Sequence, residues 1–159
     1  MIRRIVYSSL ACETLVVKDV YDIIRQSHNR NSKNGLTGGL LFIDRYFYQL
    51  LEGLPTAVEA RYQRIAQDPR HTELVVRQDV TTEAPLFASD WMALRDGGQI
   101  DPGVLESHGY RLGMPAEEFS GEQILAFLLD CFGKPTSPAT STLAPAASEG
   151  NDGNLALTL

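Results

Sequence analysis

Little in this chain suits a metal site, a nucleic-acid groove or a membrane. Its two cysteines, Cys12 and Cys131, stand far apart, in no CxxC pair and with no histidine cluster nearby. That argues against a disulfide scaffold and a structural zinc site. No apolar run approaches the roughly 18 residues of a membrane span. The opening MIRRIVYSSLA is too short in apolar residues for a signal peptide, so the cytoplasm is the expected compartment. Positive charge is scarce: 14 Lys and Arg stand against 20 Asp and Glu, for a net charge of −6. Nucleic acid is therefore not expected as a main partner. No GxSxG elbow, HExxH pair or Walker A loop is found, so nothing points to hydrolysis.

What is present is material for a core. Apolar residues make up 43% of 159 positions, and the length suits one domain. Arg3 to Ser8 reads as a strand, with Ile5 and Tyr7 on one face and Val6 on the other. Asp19 to about Asn31 reads as a helix. Val20, Ile24 and Ser27 form its stripe, Ile23 lies beside it, and Asn31 continues it. Leu36–Ile43 and Tyr46–Leu51 form a hairpin about Asp44-Arg45. Thr56 to Gln67 reads as a second helix with Val58, Tyr62 and Ile65 inward, stopped by Pro69. Leu74–Val80 and Trp91–Leu94 complete the strands.

This order predicts an α+β, ferredoxin-like βαββαβ(β) sandwich over residues 1–96, a mostly antiparallel sheet with two helices on one face. A helical extension over 97–133 follows, in which Ser120 caps a helix carrying Ile124, Phe127, Leu128 and Cys131. It has too few apolar residues for its own core, and the bare sheet face is the expected acceptor. Residues 134–159, rich in Pro, Ser, Thr, Ala and Gly, are expected to be disordered. No internal repeat is present.

The strand Tyr46–Glu52 carries the sharpest signal. Phe47, Gln49 and Leu51 share a face, which sets an amide among apolar side chains. A buried amide needs partners for its donors and its acceptor, and leaving them unpaired costs about 1–3 kcal/mol. Either the backbone supplies those partners or a bound heterocycle does. Tyr7 poses the same question, as ordinary core or as a hydroxyl with a functional partner. The split βαβ topology puts the first and third strands side by side, so Tyr7 and Gln49 are expected to reach each other. Asn31 is read either as a helix C-cap or as an amide presented to a ring edge. Asp68-Pro69-Arg70-His71, with Arg64, is either a solvated charge run or a phosphate contact. Gly38-Gly39, inside a strand, permits close approach of a helix or ligand.

Taken together, RRIVYSS, NSKNGLTGGLLF, YQLLEG and QDPRH, in this order across residues 1–95, resemble the BLUF family of blue-light sensors. The resemblance implies a flavin between the two helices, FAD foremost, with FMN or riboflavin possible. It implies that Tyr7 is the photoactive tyrosine, passing an electron and a proton toward the flavin, and that Gln49 switches its hydrogen bonds. It matches Asn31 to the asparagine on the ring's pyrimidine side, Ile24 and Ile65 to the ring-lining residues, and Ser27 to a neighbour of the ring. Asp68, Arg70 and His71, with Arg64, match the segment near the ribityl chain and phosphate. The family pattern Trp-x-Met on the fifth strand, which implies Trp91 and Met92 as the switch relay, meets Asp90-Trp91-Met92 here: an ungapped count puts Met92 in the Met position and Trp91 on the other face, while a bulge restores Trp91 and puts Ala93 in the Met position. Arg30 stands where some relatives carry an amide or histidine.

The resemblance also implies a photosensor, not an enzyme, of the short class that signals through self-association or a separate protein partner. The Ser120–Phe132 helix is either that contact or a cover for the sheet. Two other readings stay open: a light-independent ferredoxin-like interaction module, which would purify colourless, and a small flavin redox enzyme, which would turn over a nicotinamide.

Overall fold

The computed structural model describes residues 1–135. The expected disordered tail falls mostly on 136–159, outside the described residues. Strand β1 (Ile2–Ala11) leads to helix α1 (Val17–Asn34), the hairpin β2 (Thr37–Ile43) and β3 (Tyr46–Gly53), helix α2 (Pro55–Ala66), the long strand β4 (His71–Thr82) and the short β5 (Ala93–Asp96). Helices α3 (Pro102–Ser107) and α4 (Gly121–Cys131) follow. The five strands form one sheet in the order β4-β1-β3-β2-β5. Only the β2–β5 pair is parallel; β1–β3, β1–β4 and β2–β3 are antiparallel. This is the predicted ferredoxin-like arrangement.

Local chemistry sets the element ends. Gly35, at φ 64°, ends α1 in the left-handed region, and its N–H bonds the Asn31 carbonyl. Pro55 opens α2, where its missing N–H costs nothing. Ser120 and Gln123 cap α4 reciprocally: Ser120 Oγ accepts from the Gln123 N–H at 3.2 Å, and Gln123 Oε1 from the Ser120 N–H at 2.8 Å. At the β2–β3 turn, Asp44 (φ 50°) and Arg45 (φ 71°) both adopt left-handed conformations, as a tight hairpin demands. The turn is tied to the end of β1 by the Ala11 N–H, which donates to the Arg45 carbonyl at 2.8 Å.

The alternation of β1 and β3 builds two cores. Ile5, Phe47 and Leu51 pack with Val20 of α1 and Val58 of α2 on one face. Val6, Tyr48 and Leu50 pack with Ile124, Phe127 and Leu128 of α4 on the other. A salt bridge is buried at the end of this sandwich. Arg4 Nε meets Glu52 at 2.9 Å, and the other Glu52 oxygen accepts the Phe87 N–H at 2.6 Å. Glu52 is completely buried.

The fifth strand begins later than expected, at Ala93 instead of Trp91. The reason is long-range: Asn31 Nδ2 donates to the Trp91 carbonyl at 2.8 Å, and the Gly38 N–H of β2 goes to Asp90. The ladder with β2 therefore starts at the Gly39–Ala93 pair. Gly39 itself makes room for aromatic rings: a Cβ there would lie 2.7 Å from Phe87 and 3.1 Å from Phe132.

Candidate functional site

A cavity opens between α1 and α2 above the sheet, about 590 Å³ including its mouth. The sheet supplies Tyr7, Leu40, Phe47 and Gln49; α1 supplies Ile23, Gln26, Ser27 and Arg30; α2 and the turn after it supply Arg61, Arg64, Ile65, Asp68, Arg70 and His71.

Tyr7 and Gln49 sit opposite each other in the β1–β3 register. Both are buried, and the Tyr7 hydroxyl donates to Gln49 Oε1. Burial raises the Tyr7 pKa well above the usual phenol value, and the neighbouring Tyr62 and Asp68 push the same way, so the phenol holds its proton at any ordinary pH. Gln49 Nε2 has one neighbour, Met92 Sδ at 3.4 Å. A thioether is a weak acceptor and an amide nitrogen carries two protons, so Gln49 retains donor capacity.

His71 locks the edge of the site. Its Nε2 lies 2.7 Å from the Ile65 carbonyl and its Nδ1 2.7 Å from Ser9 Oγ. The carbonyl only accepts, so Nε2 carries a proton, and in the neutral ring Nδ1 accepts from Ser9. Asp68 holds Arg70 through both the backbone N–H (3.0 Å) and Nε (2.9 Å). Arg70 in turn lowers the Asp68 pKa, chiefly through the side-chain hydrogen bond.

Of the residues singled out from the sequence, Tyr7, Ser27, Gln49, Arg64, Ile65, Asp68, Arg70 and His71 line the cavity, while Ile24 and Asn31 do not. Helix α1 turns Ile23, Gln26, Ser27 and Arg30 inward, an i, i+3, i+4, i+7 set. Ile24 falls one position round, in a shallow depression with Tyr21 and His28. Asn31 is completely buried behind this row, one turn beyond Ser27. Its Nδ2 is engaged by Trp91, and its Oδ1 has no partner among the described residues. Met92 is buried against Gln49, and Trp91 is 38% exposed. Arg61 escaped the sequence reading. It stands three residues after Val58, on the inward stripe, and that position was the available signal.

A flavin's ring edge offers alternating carbonyl acceptors and an N–H donor. The residues present fit it. The spare N–H of Gln49 suits a carbonyl or ring nitrogen, and the orphaned Asn31 Oδ1 suits an N–H.

Comparison with known proteins points the same way. The BLUF family model, described as sensors of blue-light using FAD, matches residues 2–93. The photoactivated adenylate cyclase subunit beta of Euglena gracilis is 35% identical over 85 residues, covering 54% of this chain and 10% of that protein. The blue light- and temperature-regulated antirepressor BluF of Escherichia coli (strain K12) is 36% identical over 75 residues, 47% of this chain and 19% of that one. The match thus spans a small part of these relatives' length. Among solved structures, BlrB, a BLUF protein in its dark state, superposes with a TM-score of 0.62 at 28% identity, covering 74% of this chain and 87% of that one. BlsA in its photo-activated state shares the fold, with a TM-score of 0.74 at 20% identity, covering 87% and 100%.

Proposed function

We propose that this chain, which belongs to the BLUF family of blue-light sensors, carries its photochemical switch in the Tyr7–Gln49 pair. The family's flavin, read here as FAD, supplies an excited state that accepts one electron when it is bound between α1 and α2. Tyr7 is the donor that the cavity offers. A phenol of pKa near 10 becomes a strong acid once oxidised, so its proton leaves with the electron. Gln49 Oε1 already accepts the Tyr7 hydroxyl and is placed to take that proton, while Nε2 can release one toward the group that took the electron. The electron returns to Tyr7 together with a proton handed back through Gln49, and the carboxamide settles with donor and acceptor exchanged, by rotation or as a tautomer.

A single hydrogen bond is worth only about 1 kcal/mol net. The lit arrangement therefore depends on packing around Gln49, and recovery is thermal. Leu40, Phe47 and Met92, all buried, supply that packing. The observation that carries this reading is the Tyr7 hydroxyl donating to Gln49 inside the cavity.

The route outward runs through Met92. It packs in the core beneath α1 and α2, and the next residue, Ala93, packs against the core beneath α4. A Gln49 that turns away from Met92 Sδ shifts the start of β5 and hence the contact with α4. The recipient is a separate protein partner or a second copy of the chain. No helix among the described residues is long and apolar enough to cross a membrane. A reducing compartment, the cytoplasm, suits the free thiols of Cys12 and Cys131.

The test is the absorption spectrum of flavin-loaded Gln49→Leu before and after blue light. The account expects bound flavin and no reversible red shift; a normal photocycle in that variant sinks the relay.

A further inference from the structure

The sheet grips helix α4 at both ends. At the C-terminal end, the Arg95 guanidinium of β5 lies 5.4 Å from the centre of the Phe132 ring. At the N-terminal end, Gly121 rests on β4, where a Cβ would overlap the Arg77 carbonyl oxygen. The route through Met92 serves the first grip. The second has a different origin.

Arg77 is the extra residue of a β-bulge. Val6 pairs with Gln78 and Tyr7 with Val76, so no residue of β1 stands opposite Arg77. The interruption falls at Tyr7 itself, and a bulge both frees the strand locally and re-aims a side chain. Arg77 Nε donates to Ser8 Oγ at 3.0 Å. Ser8 follows Tyr7, Tyr48 precedes Gln49, and the two face each other across β1 and β3. The switch pair thus has a second polar pair on the opposite face of the same strands. Beyond Ser8, Arg77 Nη2 stops 3.9 Å from Glu117 Oε1, in the turn Ala116–Glu118 before α4. That gap is too long for a hydrogen bond. Arg77 Nη2, the Tyr48 hydroxyl and Gln78 Oε1 are all buried without a hydrogen bond among the described residues. Buried polar groups left so are the ones a small shift can re-pair.

We propose that the Arg77 bulge is a second outlet of the switch, separate from Met92. A rearrangement at Tyr7 and Gln49 shifts β1 against β4, Arg77 closes on Glu117, and the N-terminal end of α4 moves with it. Arg77 is a positioning residue in this scheme; it touches neither Tyr7 nor Gln49 by hydrogen bond. The proposal rests on the Tyr7–Gln49 reading above and adds a route to it.

The experiment follows hydrogen exchange in the flavin-loaded, full-length chain, in darkness and under steady blue light. It reads the amides of Gln123 and Ile124, which Ser120 holds through its hydroxyl at 3.2 Å and its carbonyl at 2.9 Å. Light is expected to change their exchange about threefold or more in the wild type. Arg77→Met keeps the red shift and loses most of that change, and Arg77→Lys keeps part of it. Glu117 is 61% exposed, so Glu117→Gln keeps the fold and also reduces the change. Loss in either Arg77→Met or Glu117→Gln supports the outlet; a full response in both overturns it. A wild type whose spectrum shifts while these amides stay unchanged overturns it too, and leaves the switch standing. So does a Met92→Ala protein that still shifts in light but loses the response at α4. A wild type with bound flavin and no red shift overturns both readings.

Discussion

Asn31 joins the end of α1 to the segment that leads into β5: its Nδ2 lies 2.8 Å from the Trp91 carbonyl. The same side chain keeps a buried Oδ1 without a partner. One residue thus ties a cavity-forming helix to the strand proposed to carry the signal out.

Asn31→Ala is expected to remove both the tether and the spare acceptor. Loss of one buried polar contact costs about 1–3 kcal/mol, so flavin affinity falls roughly 5- to 150-fold. Hydrogen exchange at Met92 and Ala93 accelerates in the same variant. Unchanged affinity and unchanged exchange contradict this role.

Met92 and Trp91 should separate cleanly. Met92 is buried on Gln49, so Met92→Ala is expected to change both the dark-state absorption and the rate of dark recovery. Trp91 is 38% exposed, so Trp91→Phe leaves the dark spectrum as it is. The reverse pattern places the indole, not the thioether, beside Gln49.

Stability hangs on Glu52 at the end of β3. Glu52→Ala strands Arg4, itself buried, and frees the Phe87 N–H. Breaking one side of a buried pair costs about 3–5 kcal/mol. For a chain of this size that lowers the melting temperature by roughly 6–20 °C. A drop of a degree or two in a thermal melt contradicts the assignment.

Alkaline pH should destabilise the fold before it ionises the site. Burial pushes the Cys131 thiol up to about 12 and raises the Tyr7 and Tyr48 phenols above their ordinary values. Each group holds its proton longer when folded, so the unfolded chain loses protons first as pH rises. The stabilisation is fully present below the unfolded values, near 8.5 for the thiol and 10 for the phenols, and is lost above them. Melts between pH 8 and 11 should show a falling midpoint, and a rising one contradicts this sign.

The strands were the most legible part of the chain. Period-two alternation leaves no freedom over which face Tyr7 and Gln49 share, and the split βαβ order makes β1 and β3 neighbours. Helix faces were harder. An apolar stripe is broad, so Ile24 was read into the lining where Ile23 stands. Arg61 was passed over because a charged residue on a helix ordinarily reads as solvated. The late start of β5 had no local signature, since it follows from Asn31, sixty residues away in sequence, taking the Trp91 carbonyl. The Asp44-Arg45 turn was readable from its place between two apolar runs, although neither residue is glycine.

The central claim is that Tyr7 starts the switch, and one spectrum tests it. Flavin-loaded wild type and Tyr7→Phe are recorded before blue light, during it, and through recovery in darkness. The account predicts a reversible red shift in the wild type and a coloured but unresponsive Tyr7→Phe. A Tyr7→Phe protein that shifts and recovers like the wild type contradicts it.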